Sequence, residues 1–156
     1  MLTQLNRLSI DADGRYATDA ELSFLEKYVE GIDERISGYE KIRDTEEELM
    51  TQVETEKREL DPNVFLINGR DVSLSCRQDF RTVLRWCAYV MLMGDLEHYR
   101  TSFLLWQRTI VKASGCTKQA EVTYSSLQKA LKSLLSPTEL KLTLPAVQLS
   151  QALLGD

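Results

Sequence analysis

Apolar residues recur every three or four positions along nearly all of this chain, and nowhere do they alternate convincingly at a spacing of two. The first spacing places side chains on one face of a helix, whereas the second indicates a half-buried strand. Only three prolines, Pro62, Pro137 and Pro145, interrupt the pattern. A chain of 156 residues is most simply one domain. The sequence therefore predicts a single all-α domain spanning residues 1–156.

The composition argues against several classes of function. A formal net charge of −5 disfavours nucleic acid or an anionic membrane surface as the partner. The three cysteines, Cys76, Cys87 and Cys116, have neither the paired spacing of a zinc site nor the even number of a disulfide framework. We therefore expect free thiols, as in a reducing cytoplasm, and no bound metal. No apolar run approaches the length of a membrane span, and we expect no signal peptide.

A helical segment is predicted to begin at Thr18. Thr18 and Glu21 form the Thr-x-x-Glu pattern of a capping box, in which two side chains satisfy free backbone N–H groups of the first turn. Apolar residues then follow at steps of three and four: Leu22, Leu25, Val29, Ile32 and Ile36. Such a narrow apolar stripe suits pairing with another helix.

The middle of the chain combines an acidic helix with a loop. Residues Glu40–Leu60 carry many glutamates. Apolar residues occur within this segment at Leu49, Met50 and Val53. This pattern predicts a solvated helix that touches the core along one edge, with a functional acidic patch as the alternative. Residues 60–75 are predicted to form a loop, because Asp61-Pro62 and Asn68-Gly69 are typical turn pairs.

Three helices are predicted after Gly94, a residue type that commonly follows the last turn of a helix. Their predicted bounds are Glu97–Ala113, Lys118–Leu135 and Pro145–Leu153. The breaks between them fall at Ser114-Gly115 and Ser136-Pro137, because glycine and proline interrupt helical geometry.

The predicted helix Cys76–Met93 has an apolar face and, opposite to it, a face with an arginine and a tyrosine. At 100° per residue, Cys76 lies in the middle of an apolar face. The other members of that face are Phe80, Val83, Leu84, Cys87, Val90 and Met91. Asp79 lies at its edge, about 60° from Cys76, so both side chains can reach one ligand. Arg85 and Tyr89 lie on the opposite side.

The start of this helix predicts a reactive thiol. Ser75 is a suitable N-cap, and Gln78 would complete a capping box with it. Cys76 would then lie in the first turn, where the helix dipole and the neighbouring Arg77 favour a thiolate. A thiolate beside Asp79 suits a cationic chromophore held by a thioether bond. In the alternative interpretation, Cys76 fills the core as a small apolar residue and Asp79 is an ordinary first-turn acid.

At this helix the sequence resembles the phycobiliproteins, the globin-like light-harvesting subunits. The residues at the family's spacing are Cys76, Asp79, Leu84, Arg85, Tyr89, Gly94 and Asp95. The stretch DADGRYATDAEL, residues 11–22, is similar to the start of the family's N-terminal helical hairpin. The resemblance covers most of residues 5–115. It implies an all-α, globin-like fold, with residues 1–40 as a hairpin for subunit pairing and residues 41–156 as the globin-like helices.

The resemblance also implies a pigment site. By position, Cys76 corresponds to the residue that binds a linear tetrapyrrole of the phycocyanobilin type through a thioether bond, without metal or haem. Asp79 corresponds to the acceptor for the inner pyrrole nitrogens. The family arginine that holds a propionate, two residues after the cysteine, is Gln78 here. Arg77 is the cationic candidate for that contact, although helical geometry turns it about 100° from the family position.

A second group of residues is assigned by the resemblance to a subunit interface: Asp11, Tyr16, Arg85 and Tyr89. Arginine and tyrosine are common interface anchors, which agrees with this assignment. The alternative for Arg85 and Tyr89 is a solvated arginine beside a half-exposed tyrosine. The expected partner is a phycobiliprotein-type subunit, in a homodimer or an α/β-like heterodimer, together with other phycobilisome components.

Four further residues could carry chemistry. His98 is the only histidine and stands near a helix start, so we expect a structural or exposed residue rather than a haem ligand. Trp86 and Trp106 are expected to contact the core or a partner rather than line a pigment pocket. Cys116 is expected to be a loop thiol, with attachment of a second bilin as the alternative.

Two functions follow from these observations. The first is a bilin-binding subunit of the phycobilisome for light harvesting or energy transfer. The second is a pigment-free paralogue, similar to the bilin-biosynthesis-associated globins, that acts in assembly or regulation of phycobilisomes or bilin metabolism. Gln78, a short loop before Cys76 and a short last helix favour the second. We expect no enzymatic activity and a cytoplasmic location, peripheral to the thylakoid membrane through the phycobilisome.

Overall fold

The computed structural model describes residues 1–155, and over that range the chain is almost entirely helical. The elements of the first half are α1 (Leu2–Asp11), α2 (Asp19–Glu30), α3 (Ile32–Asp44), α4 (Glu46–Leu60), β1 (Leu66–Ile67) and β2 (Arg70–Asp71). The second half contains α5 (Ser73–Met93), α6 (Leu96–Tyr99), a π-helical segment (Arg100–Leu104), α7 (Leu105–Ser114), α8 (Thr117–Leu134) and α9 (Pro137–Leu154). The prediction of an all-α fold is confirmed.

Helix α5 lies at the centre of the core. Its buried residues are Phe80, Val83, Leu84, Cys87, Ala88, Val90 and Met91, which confirms the apolar face predicted from the sequence. Helices α3 and α9 pack against α5, while α8 packs against both α4 and α9. The helix ends at Gly94, whose φ of 63° is the left-handed conformation expected of a glycine in this position.

The start of α5 differs from the prediction. The helix begins at Ser73, three residues before Cys76, and the Ser73 N–H donates to Asp71 Oδ1 at 2.8 Å. Ser75 is therefore not the N-cap, and it forms no capping box with Gln78. Because the Cys76 N–H already donates to the Val72 carbonyl at 2.9 Å, Cys76 does not lie among the free N–H groups of the first turn.

The segment predicted as a loop contains a small antiparallel hairpin. Leu66 pairs with Asp71, and Ile67 pairs with Arg70. The two residues between the strands, Asn68 and Gly69, have φ angles of 51° and 76°. Positive φ at both positions is required by the tight turn that matches strand twist, which explains the Asn-Gly pair.

The last helix begins eight residues earlier than predicted, at Pro137 rather than Pro145. Ser136 caps it, and Glu139 completes a capping box, with Pro137 in the first turn where its missing N–H is harmless. Pro145 is exposed inside the helix and does not end it. The packing of α9 against α3, α5 and α8 outweighs the cost of one lost backbone hydrogen bond.

The acidic segment is divided between two helices at Thr45. Leu49, Met50 and Val53 are buried on α4, which confirms the predicted core edge. Several of the acids pair with arginines on α5: Arg77 with Glu47 and Glu54, Arg81 with Glu46 and Glu47, and Arg85 with Glu46. The acidic face is thus partly neutralised within the chain.

The N-terminal helices lie outside the core. The predicted capping box of Thr18 and Glu21 is present at the start of α2. Of the residues described in α1 and α2, none is fully buried. Polar contacts hold these helices to the end of α5: Thr3 donates to Asp95 from its backbone and side chain, and the Tyr28 hydroxyl donates to the Leu92 carbonyl at 3.0 Å.

Candidate functional site

Cys76 and Asp79 lie on one small cavity between α4, α5, α7 and the start of α8, which we call the Cys76 cavity. Its volume is about 50 Å³. Its lining residues are Lys57, Cys76, Asp79, Phe80, Gln107, Val111, Cys116, Gln119, Ala120, Thr123 and Tyr124. The structure therefore brings together the two residues that the sequence placed at one ligand.

The Cys76 thiol is held in its protonated form. Burial raises the pKa of Cys76 to about 11, and the nearby Cys116 and Asp79 act in the same direction, against the lowering effect of the Lys57 ammonium. The expectation of a thiolate favoured by the helix start is therefore wrong. The reason is that α5 begins before Cys76, so desolvation acts on the thiol without the compensation of free N–H groups.

Asp79 faces the cavity from the same helix. Burial raises the pKa of Asp79, while a hydrogen bond from the side chain of Gln107 lowers it and only partly offsets the burial. Gln107 itself is buried on α7. The Asp79 carboxylate therefore already has a hydrogen-bond partner within the protein. Its protonation state depends on how far water penetrates around it.

Lys57 is an unexpected member of this site, because it belongs to the helix that the sequence predicted to be solvated. It is buried, and its Nζ donates to Thr123 Oγ1 at 2.6 Å. The same Nζ lies 4.7 Å from the centre of the Phe65 ring. Desolvation lowers the pKa of Lys57, and the nearby Cys76 and Glu54 oppose that shift. Its spacing from Met50 and Val53, seven and four residues earlier, places Lys57 on the buried face of α4, so helical periodicity could have identified it.

Arg77 does not line the Cys76 cavity. Its guanidinium donates to Glu54 at 2.6 Å and to Glu47 at 2.8 Å, both on α4. These two hydrogen bonds raise the pKa of Arg77. The assignment of Arg77 to a cofactor contact is therefore not supported by its position, since the acids of α4 hold it on another side of the helix.

Two of the predicted interface residues lie together on the outer face of α5. Arg85 is 65% exposed and makes two hydrogen bonds to Glu46, at 2.7 and 2.8 Å. Tyr89 is half-buried and meets Trp86 edge to face, with ring centres 5.3 Å apart. These residues and His98 line a shallow surface groove. The His98 N–H donates to Asp95, so this histidine belongs to a helix cap.

The other two predicted interface residues precede α2. Asp11 is exposed at the end of α1, and its carbonyl accepts a hydrogen bond from Arg15. The Tyr16 side chain is 96% exposed. Arg15 also pairs with Glu21 of the capping box at 2.7 Å, which stabilises this connection. The structure therefore presents Asp11 and Tyr16 to solvent, as an interface with another chain would require.

The remaining sequence predictions have separate outcomes. Trp86 stacks against the buried Tyr99 and Phe103, as expected of a core contact. Trp106 is largely exposed. Cys116 follows the break at Gly115, as predicted, but it also reaches the Cys76 cavity. Forty positions separate the two cysteines in sequence, so their proximity has no signal in local spacing.

These features agree with a comparison against known families. The model of the family described as "Phycobilisome protein" matches residues 8–151. The chain therefore belongs to the phycobilisome protein family. Among curated proteins, no sequence matches. Within the part of the chain that the structure describes, no helix has both the length and the apolar character needed to cross a membrane.

The dimensions of the Cys76 cavity can be compared with those of the tetrapyrrole that the family implies. Pockets for ligands of that size enclose roughly 300–1,000 Å³, whereas this cavity has about 50 Å³. The buried Lys57 occupies one side, and the cationic Arg77 is turned away. In the conformation described, the cavity is therefore too small to enclose a tetrapyrrole.

Proposed function

We propose that this protein is a pigment-free, non-enzymatic member of the phycobilisome protein family that acts through contacts with a phycobiliprotein-type subunit. In this role it would assist assembly, turnover or regulation of the phycobilisome. The observation that carries the proposal is the contrast between a Cys76 cavity of only about 50 Å³ and exposed apolar side chains on the N-terminal helices. Family membership supports association with the phycobilisome.

The N-terminal helices supply the first part of the proposed interface. Exposed large apolar side chains of this region include Ile10 on α1, Tyr16 in the connection before α2, Val29 on α2 and Ile36 on α3. Leaving such groups in water costs free energy that burial against a partner would recover, at about 25 cal/mol per Å² of apolar surface. A helical partner surface would suit the narrow stripe along α2 and α3.

The outer face of α5 supplies the second part. Arg85 already binds Glu46 with paired hydrogen bonds, so its guanidinium is held in one orientation before a partner arrives. The edge-to-face contact with Trp86 likewise restricts the orientation of the Tyr89 ring. Preorganised side chains lose less conformational freedom on binding, which favours them as anchors. The partner would be a second copy of this chain or another phycobiliprotein-type subunit.

Sedimentation velocity with the purified chain, alone and with phycobiliprotein subunits, tests this proposal. We expect a dimer or a heterodimer, and Arg85→Ala or Tyr89→Ala should weaken it about tenfold or more. Arg100→Ala is the matched control, because Arg100 is also exposed and ion-paired, to Glu97, but lies outside the proposed interface. A monomer that binds none of these subunits at high concentration would contradict the proposal.

A second candidate function is favoured by the meeting of Cys76 and Asp79 on one cavity. In this case the chain carries one linear tetrapyrrole on Cys76 and serves light harvesting or energy transfer. The cavity would have to enlarge, since its present volume is about 50 Å³. Displacement of the α8 start or of Lys57 would provide the space. Either role places the protein at the phycobilisome, in the cytoplasm beside the thylakoid membrane.

Co-expression with phycocyanobilin-producing enzymes, with and without bilin lyases, separates the two candidates. The denatured protein is examined on a gel for fluorescence enhanced by zinc. The pigment-free proposal predicts no fluorescent band under any lyase. A band that disappears in Cys76→Ser but persists in Cys87→Ser would establish the bilin-carrying function instead, because Cys87 is fully buried in the core.

A further inference from the structure

The Cys76 cavity holds two thiols from distant parts of the chain. Cys76 comes from α5, and Cys116 stands at the N-terminal end of α8. Both are partly exposed free cysteines, whereas Cys87 is fully buried in the core. The Cys116 thiol is close enough to Cys76 to raise the pKa of that residue. Of the two cysteines Cys76 and Cys116, only Cys76 belongs to the family's attachment motif.

We propose that Cys76 and Cys116 are an oxidisable dithiol that forms a reversible intramolecular disulfide. The oxidant is a small disulfide of the glutathione class. Cys116 attacks one glutathione sulfur, forms a mixed disulfide and releases one glutathione thiol. Cys76 then attacks the Cys116 sulfur, forms the Cys76–Cys116 bond and releases the second glutathione thiol. Two protein thiols are oxidised and one glutathione disulfide is reduced, with both protons carried by the released thiols.

The order of the two steps follows from the surroundings of the sulfur atoms. The Cys116 Sγ makes a solvent-exposed contact of 3.8 Å to the Ser114 carbonyl. Cys76 is the weaker first nucleophile, because burial raises the pKa of its thiol to about 11. Once the mixed disulfide is present, the neighbouring Cys76 competes as an intramolecular thiol of high effective concentration. The Lys57 ammonium stabilises its thiolate during that attack.

Disulfide formation would have two structural consequences. It would link α5 covalently to the start of α8, which closes the Cys76 cavity. It would also remove the Cys76 sulfur from any reaction with a tetrapyrrole. Oxidation would therefore select the pigment-free form, although the dithiol reaction itself requires neither a pigment nor a partner subunit.

The test equilibrates the native chain with mixtures of oxidised and reduced glutathione, then alkylates remaining thiols in denaturant and measures intact mass. The reduced chain should take up three alkyl groups. The oxidised chain should take up only one, with a mass loss of about 2 Da for the two hydrogen atoms removed. Tryptic digestion should join residues 71–77 to residues 113–118 and leave the Cys87 peptide alkylated.

Matched variants separate this bond from general thiol oxidation. Cys87→Ala should retain the linked peptides, whereas Cys116→Ser should abolish them and leave Cys76 free or as a glutathione adduct. Retention of all three free thiols across the glutathione series would overturn the proposal. Stable glutathione adducts on both Cys76 and Cys116, or a bond that includes Cys87, would overturn it equally. Binding to phycobiliprotein subunits is measured separately and does not affect these outcomes.

Discussion

At the scale of single residues, two glutamates with the same local role differ in their surroundings. Glu21 and Glu139 each close a capping box at the third position of a helix. The pKa of each is lowered to about 2. Glu21 is solvated, and its hydrogen bonds with Arg15 are the main cause. Burial raises the pKa of Glu139, and hydrogen bonds from Lys41, Ser37 and Ser136 more than reverse that effect.

We predict that Glu139 makes stability depend on acid pH. A carboxyl whose pKa is depressed on folding stabilises the protein above its unfolded pKa, here 4.5, and that stability is lost as pH falls towards about 2. Glu139→Gln should lower the free energy of unfolding at pH 7 by on the order of 3 kcal/mol. The free energy of unfolding of this variant should also change less than that of the wild type between pH 4.5 and about pH 2.

Urea denaturation at a series of pH values measures this effect. Glu21→Gln is the matched control, since it removes the same group from an exposed capping box. Water screens that ion pair, so we expect a much smaller change. Equal losses in the two variants would show that capping, rather than the buried contacts to α3, determines the contribution of Glu139.

At the scale of elements, the approach of α3 to α5 depends on a glycine. A Cβ on Gly38 would lie 2.2 Å from Met91 Cε and 2.8 Å from its Sδ. Met91 is fully buried, so it has little space into which to move. Gly38→Ala should therefore destabilise the protein by about 1–3 kcal/mol in urea denaturation.

The control for this variant is Gly31→Ala. At Gly31 a Cβ would have only the Lys27 carbonyl oxygen within reach, at 3.8 Å. We expect no destabilisation from overpacking at Gly31. Because alanine has less conformational freedom than glycine in the unfolded chain, the free energy of unfolding should rise slightly. If Gly38→Ala behaved like Gly31→Ala, the contact between α3 and α5 would be looser than the structure indicates.

A second prediction for elements concerns the two prolines of α9. Pro137 lies in the first turn, whereas Pro145 is exposed in the interior and cannot donate to the carbonyl of Lys141. Pro145→Ala should increase the free energy of unfolding by about 1–3 kcal/mol. Pro137→Ala should decrease it slightly, because the unfolded chain gains freedom. Thermal unfolding of the two variants, followed by circular dichroism, measures this difference in sign.

At the scale of the whole molecule, the N-terminal helices contribute little to the core and expose apolar groups. If they pair with another chain, as proposed, Val29→Lys should reduce the dimer by about tenfold or more in affinity. The melting temperature of the monomer should stay nearly unchanged, since Val29 is 64% exposed. Sedimentation velocity and thermal unfolding together measure the two effects.

Glu34→Gln is the control for Val29→Lys. It changes the charge by the same amount at an exposed polar position of α3. Dimerisation should persist in this variant. Loss of the dimer in both variants would mean that net charge, rather than the apolar stripe, governs association. Loss of the monomer fold in Val29→Lys would mean that the stripe packs within the chain.

The sequence by itself determined the features that depend on residues one to four positions apart. The apolar face of α5, the capping box of α2 and the helix ends at Gly94 and Gly115 follow from helical periodicity and backbone conformation. The family resemblance also lay in the sequence, and the match over residues 8–151 supports it. The paired position of Cys76 and Asp79 on one cavity is a consequence of the same periodicity.

Only the tertiary structure decided the chemistry of that cavity. The burial of Lys57, the presence of Cys116 beside Cys76 and the turning of Arg77 towards α4 depend on helices that are distant in sequence. Burial and charge depend on these long-range neighbours, and they control whether a thiol ionises. Local spacing predicts which way a side chain points, whereas packing between helices determines what it meets there.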